Sequence, residues 1–474
     1  MNQHLRRIAL CFAVVLSATA SIVACSSSEP RERLDEAVDG GGASLPDAGP
    51  ASDGDVPSFD ATDQRPGFDP KDEVVTCTTD PCAVQLVAGN DHFCARMSDG
   101  TVRCWGDNRM GSLGVDDAGV SNEPSDAGVL ADGGWRVSRV ADLSGVIQLG
   151  AGGTTTCAVD GDGGLACWGG NDKAQLGLDD AAPAFDGDRH PAPAPVAVPR
   201  DVQRVDVGQA SACAVLANAD VWCWGDNTTK QLARATEGAF DVPAKVDIDG
   251  QTIARIAIGT YSGLAVTTAG EVLSWGAVSG PEGSIGARVA SVRDDPLPLA
   301  IGLGSVTSLA VSSTTIQQQT FPKPPRGVGH ACAIVEGDVF CWGDSLTGAL
   351  GVGVADPVRM PTRAFVTSDI AWAQQVAAAG EITCVRMTDG NVECTGDNTY
   401  GALGAAPATL PFSTVFRPAE TFTGYAVQVA VTSRSVCALV QGGGVLCWGG
   451  NAHGELGQGW TDADAHPAPV AVRF

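Results

Sequence analysis

Apolar and polar residues alternate in short runs along most of the chain, and one arrangement of them recurs. Val84-Gln85-Leu86-Val87-Ala88-Gly89 leads into His92-Phe93-Cys94-Ala95, an Asp99-Gly100 turn follows, and Val102-Arg103-Cys104-Trp105-Gly106 ends the unit. Period-two alternation broken at an acid-glycine turn predicts an antiparallel hairpin. The same frame returns at Cys157…Cys167-Trp168-Gly169, Cys213…Cys223-Trp224-Gly225, Leu264…Ser274-Trp275-Gly276, Cys332…Cys341-Trp342-Gly343, Cys384…Cys394-Thr395-Gly396 and Cys437…Cys447-Trp448-Gly449. After it, most copies carry a polar turn and a Leu-Gly pair (Asp107-Asn108…Leu113-Gly114; Asn451…Leu456-Gly457). A Pro-flanked apolar run then ends the copy, as in Pro195-Val196-Ala197-Val198. Each copy therefore predicts four strands, at a spacing of about 50–70 residues that signals a propeller or solenoid. Radial closure protects sheet edges, so the expected fold is all-β: a seven-bladed β-propeller of four-stranded antiparallel blades over residues 77–474.

Two runs carry a family resemblance: Trp105-Gly106-Asp107-Asn108 with Gly111-Ser112-Leu113-Gly114, and Gly89-Asn90-Asp91-His92-Phe93-Cys94-Ala95 with its echo Gly327-Val328-Gly329-His330-Ala331-Cys332-Ala333. They resemble the regulator of chromosome condensation repeat family of seven-bladed propellers. The fourth copy departs from the pattern at Gly276-Ala277-Val278, and the sixth has Thr395 in place of Trp. The resemblance implies a binding role, because the family includes nucleotide-exchange factors and secreted inhibitors of other proteins. It leaves the partner open.

The sixteen cysteines sort by position. Cys11 and Cys25 lie near the N-terminus, and Cys77 and Cys82 form a close pair. Six hairpin pairs remain: Cys94 with Cys104, Cys157 with Cys167, Cys213 with Cys223, Cys332 with Cys341, Cys384 with Cys394, and Cys437 with Cys447. A two-residue turn at Glu336-Gly337 places Cys332 opposite Cys341, within disulfide reach. The other hairpins have one more residue, which a longer turn or bulge must absorb. The fourth copy replaces both cysteines together, with Leu264 and Ser274, as bonded partners would be lost. No repeat offers four convergent Cys or His ligands, so no metal site is expected.

The first 76 residues look unlike the rest. Arg6 and Arg7 precede an apolar run, and Ser21-Ile22-Val23-Ala24-Cys25 resembles a bacterial lipobox. Residues 1–24 are thus expected to be a lipoprotein signal peptide, with Cys25 lipidated. Residues 25–76 are rich in Pro, Gly and Asp, with almost no apolar clustering, and are expected to be a disordered acidic linker. Together these predict a monomer held by a lipid anchor in a cell envelope, at the outer membrane or surface of a Gram-negative bacterium. The formal net charge of −26 argues against nucleic acid as a partner.

Catalytic chemistry is sparse. His92 and His330 fill one repeat slot that holds Thr155, Ser211, Ser262 or Ser435 elsewhere, which suits a structural hydrogen bond. A sialidase-like propeller is the enzymatic alternative, through Ser98-Asp99-Gly100-Thr101. Its spacing is compressed, and Tyr261, Tyr400 and Tyr425 stand in no acid-paired setting. Acidic loops (Asp116-Asp117; Asp179-Asp180 with Asp186 and Asp188; Asp462 and Asp464) lack a calcium-loop pattern. No catalytic residue and no cofactor is expected. The informative irregularity is an insertion before the fifth copy, Thr314 to Arg326. Its Phe321, Lys323 and Arg326 are the candidate binding residues for another protein or an envelope component. Trp135, Trp372 and Trp460, outside the repeat pattern, are secondary candidates.

Overall fold

Twenty-nine strands form seven antiparallel sheets in the computed structural model, which describes residues 74–116, 137–178, 184–277, 294–313, 315–317 and 326–474. The signal peptide, Cys25, the linker up to residue 73, Trp135, Phe321 and Lys323 lie outside the described residues. Blade I comprises β1 (Ala83–Ala88), β2 (His92–Met97), β3 (Val102–Gly106) and β4 (Ser138–Arg139). Blade II has β5 (Val146–Gly152), β6 (Thr155–Asp160), β7 (Leu165–Gly169) and β8 (His190–Pro195). Blade III has β9 (Val202–Val207), β10 (Ser211–Leu216), β11 (Val221–Asp226) and β12 (Phe240–Val246). Blade IV has β13 (Ile253–Ile258), β14 (Ser262–Thr267), β15 (Val272–Gly276) and β16 (Asp295–Ala300). Blade V has β17 (Val306–Val311), β18 (Thr315–Gln317), β19 (Arg326–Val335), β20 (Asp338–Asp344) and β21 (Val358–Arg363). Blade VI has β22 (Ala373–Ala379), β23 (Ile382–Met387), β24 (Val392–Asp397) and β25 (Phe412–Pro418). Blade VII has β26 (Ala426–Val431), β27 (Ser435–Val440), β28 (Val445–Gly449) and β29 (His466–Ala471).

The expected blade is present in every copy, with its first strand innermost. The second and third strands pair each cysteine directly with its partner, as in Cys94 opposite Cys104 and Cys332 opposite Cys341. All six hairpin disulfides and Cys77–Cys82 are formed. In blade I the extra turn residue is taken up where Met97 N–H donates to Thr101 O and Gly100 adopts φ +75°. In blade IV, Leu264 stands opposite Ser274, both fully buried.

Apolar packing lies between blades. One cluster joins Val159, Leu165 and Leu176 of blade II to Val202, Val205 and Trp224 of blade III. The repeated tryptophan links them further. Trp168 Nε1–H donates to Ser112 O of blade I at 2.9 Å, Trp224 to Gln175 O at 2.9 Å, and Trp448 to Ala402 O at 2.9 Å. A buried indole needs such an acceptor. The glycine after it has φ +105° at Gly106, where a Cβ would lie 2.5 Å from Asp91 O, so no other residue fits. Blade VI solves the missing tryptophan with two residues. Thr395 Oγ1 reaches the carbonyls of Gly348 (3.0 Å) and Ser413 (2.9 Å), and the fully buried Phe416 packs beside Gly351.

No blade borrows a strand from another among the described residues, so side chains and loops close the ring. Trp105 Nε1–H donates to Glu455 O of blade VII at 2.9 Å, and Phe474 meets the Trp105 ring edge-on at 5.8 Å. The leading segment also binds the last blade's turn: Thr76 N–H donates to Gln441 Oε1 (2.7 Å) and Thr78 N–H to Gly442 O (3.1 Å).

Candidate functional site

The seven inner strands surround a channel of about 510 Å³. A polar residue recurs at their third position: Gln85, Gln148, Arg204, Arg255, Ser308, Gln375 and Gln428. Each glutamine reaches the next blade. Gln148 Oε1 accepts from Val205 N (2.9 Å) while its Nε2 donates to Val205 O (3.0 Å). Gln85 does the same to Leu149 (3.0 and 3.0 Å), and Gln375 to Val429 (2.8 and 3.1 Å). Gln428 Oε1 accepts from Leu86 N at 2.8 Å across the closing seam. A carboxamide carries one acceptor and one donor group, so it satisfies both backbone atoms of a residue that no neighbouring strand can reach. Asp206 plays the acceptor's part for Ile256 N (3.1 Å) and is itself held by Arg204 at 2.6 Å.

Towards the other end, inner strands finish in small residues. Ala88, Gly89, Ala151, Gly152, Gly153, Val207 and Gly208 line a second space of about 140 Å³ that continues the channel. Turns of two or three residues join first to second strands there, such as 89–91, 153–154 and 259–261. Blade V differs. After Ser313, at the rim of this space, β18 pairs antiparallel with the start of β19: Thr315 with Val328, Ile316 with Gly327, Gln317 with Arg326. The described ends of the insertion picked out in the sequence, residues 315–317 and Arg326, therefore form a strand pair that follows the rim of this space. Arg326 is its first residue on the returning strand.

The two repeat-slot histidines are buried at blade boundaries. His92 Nε2 lies 2.9 Å from Thr156 Oγ1, and His330 Nε2 lies 2.6 Å from Thr383 Oγ1. Both threonines donate onward, to Ser112 O and Ala349 O, so the network assigns the imidazole proton to Nε2. Burial lowers both imidazoles to a pKa of about 4, and they are neutral at pH 7. The tyrosines of the enzymatic alternative are dispersed: Tyr400 stacks under Arg434, and Tyr425 Oη donates to Thr388 O. Trp372 covers the Gly337 turn, whereas Trp460 is 40 % exposed and meets His466 edge-on. Of the acidic loops, Asp117, Asp179 and Asp180 lie outside the described residues, while Asp186 accepts from His190 at 2.8 Å and Asp462 from His466 at 2.8 Å.

One grouping was invisible in the sequence. Asp91, His453 and Glu455 bring one carboxylate or imidazole atom each to within 4.8 Å of one another, at the seam between blades VII and I. Burial pushes the Glu455 carboxyl up, as it does Glu381, which caps the Leu346–Thr347 loop.

Comparison with known proteins agrees with the geometry. Residues 83–112 match the family model of the Regulator of chromosome condensation (RCC1) repeat. The ultraviolet-B receptor UVR8 of Arabidopsis thaliana is 24 % identical over 394 residues, covering 81 % of this chain and 80 % of UVR8. The human E3 ubiquitin-protein ligase HERC2 is 25 % identical over 286 residues, 59 % of this chain, and the match spans only 5 % of HERC2. Among solved structures, yeast RCC1 (Prp20), crystallised bound to Kap60, superposes with a TM-score of 0.62. It is 19 % identical, over 85 % of this chain and 87 % of Prp20. At that identity the likeness establishes the propeller and nothing finer.

Proposed function

We propose that this protein is an exported, lipid-anchored binding module that presents a propeller face to another protein or an envelope component and performs no catalysis itself. The observation that carries the reading is the blade V strand pair. Where the other inner turns have two or three residues, this one builds extra structure at the channel mouth from a segment that also holds Phe321, Lys323 and Arg326. Aromatic and arginine side chains are the usual energetic anchors of protein interfaces. An aromatic and two cations would stand out on a chain of net charge −26, favouring an acidic or amphipathic partner. The Prp20 structure with Kap60 is an instance of this fold holding a protein, which supports the class of partner and not its identity.

Anchoring at Cys25, with the propeller facing outward from a Gram-negative outer membrane, completes the reading. The lipobox-like Ser21 to Cys25 supports it, and so does a fold stapled by seven disulfides, which suits an oxidising compartment. The test replaces residues 314–325 with the three-residue turn Gly259-Thr260-Tyr261 of blade IV. Crosslinked partners recovered from intact cells with wild type and variant are then compared. The variant should melt like wild type and lose a specific partner; recovery of the same set by both would refute the reading. Cys25→Ser should shift the protein from the membrane to the soluble fraction, and unchanged fractionation would remove the anchor.

A further inference from the structure

We propose that Asp91, His453 and Glu455 form a binding site for a divalent transition-metal ion of the zinc class, bolting blade VII to blade I. The argument rests on a comparison among blades. The slot of Glu455 holds Gln175 in blade II and Gln231 in blade III. In all three, one side-chain oxygen accepts the backbone N–H two residues earlier: Lys173 N at 2.7 Å, Thr229 N at 2.9 Å and His453 N at 2.7 Å. The slot's second atom differs. Gln231 Nε2 donates across the blade boundary to Thr260 O at 3.1 Å. Glu455 has a carboxylate oxygen there, fully buried, and the facing turn of blade I presents Asp91.

Acceptors thus face one another across the one boundary that joins the chain's beginning to its end. His453 Nδ1 is hydrogen-bonded to Glu455 Oε1 at 3.3 Å, and a bound ion would displace the proton between them and take both atoms as ligands. Ser433 Oγ donates to Asp91 Oδ1 at 2.9 Å, and Asp107 beside them is held by Arg109 at 2.8 Å. With a neutral imidazole the three ligands carry two negative charges, which a dication cancels. One imidazole nitrogen and two carboxylate oxygens suit zinc, with water as a fourth ligand, better than calcium, which takes six to eight oxygens. Tetrahedral bonds of about 2.0–2.1 Å put ligand atoms roughly 3.4 Å apart, so atoms now within 4.8 Å of one another need close in by at most about 1.4 Å.

The test uses the full propeller with its leading segment, stripped with a chelator and titrated with Zn²⁺ against a chromophoric competitor. Wild type should bind one ion per chain and melt at a higher temperature with it. Hydrogen exchange should slow at Asn90–His92 and Thr432–Arg434. Glu455→Gln should fold, since blades II and III carry glutamine in the same slot, and should bind Zn²⁺ at least tenfold more weakly. His453→Gln should do likewise, while His466→Ala, removing a different His–Asp pair, should leave binding unchanged. Failure of wild type to bind at micromolar Zn²⁺, or unaltered binding by Glu455→Gln, would overturn the site.

Discussion

Acidification should weaken this propeller through two buried imidazoles. His92 and His330 each have a folded-state pKa of about 4, lowered by burial, against an ordinary 6.5. The unfolded chain therefore takes up protons before the folded one does. The stability from keeping these rings neutral is complete above pH 6.5 and is lost as pH falls from there to about 4. Each pKa unit corresponds to about 1.36 kcal/mol, so the loss per histidine is about 2 kcal/mol at pH 5 and about 3 kcal/mol at pH 4. The packing explains the penalty. His330 Nδ1 faces Ser312 Oγ at 3.0 Å, and that oxygen already accepts His330 N–H at 2.9 Å, so its proton points at the ring. A second ring proton would meet a donor. The perturbation is the double variant His92→Ser/His330→Ser, because serine fills this slot in blades III, IV and VII. Guanidinium unfolding with disulfides intact, at pH 7.5 and pH 5, measures it. Wild type should lose about 4 kcal/mol more than the variant between the two pH values. Equal losses, or a His330 titration near pH 6.5 by NMR, would refute the reasoning. Acidic groups away from the two rings are common to both proteins and cancel in the comparison.

Other perturbations test the boundaries between blades. Gln375→Ala strands the backbone N–H and C=O of Val429, and a loss of about 1–3 kcal/mol is expected in thermal unfolding. Thr395→Trp alone should destabilise by about 1–3 kcal/mol, since Phe416 fills the indole's space; Thr395→Trp/Phe416→Ala should recover most of the loss. Removing one hairpin bond, as Cys213→Ala/Cys223→Ala, should cost about 2–3 kcal/mol by the chain-entropy argument for a loop of roughly ten residues, read from denaturant midpoints.

What could be read in advance was whatever is local. A hairpin fixes its register within a dozen residues, so Cys332 opposite Cys341 followed from the Glu336-Gly337 turn, and blade boundaries followed from recurrence. What could not be read joins residues distant in sequence. Trp105 donates to Glu455 O across 350 positions, and Asp91 meets His453 and Glu455 only because the ring closes. A trace of the channel girdle was present, in that glutamine interrupts the apolar runs at Gln85, Gln148, Gln375 and Gln428. Alternation accounts for those residues as ordinary polar positions, and their reach to the next blade depends on how the blades pack. Phe416 gave no signal at all, since its role exists only against the missing Trp at Thr395.

Every disulfide in this fold joins a cysteine to the next one along the chain, from Cys77–Cys82 to Cys437–Cys447. Each blade is also one unbroken stretch of sequence. A chain delivered from its N-terminus into an oxidising space could therefore be oxidised in order of arrival, each pair closing before the next appears. No bond made that way would have to be exchanged later. The molecule would depend little on a disulfide isomerase, and only the final docking of blade VII onto blade I would wait for synthesis to finish.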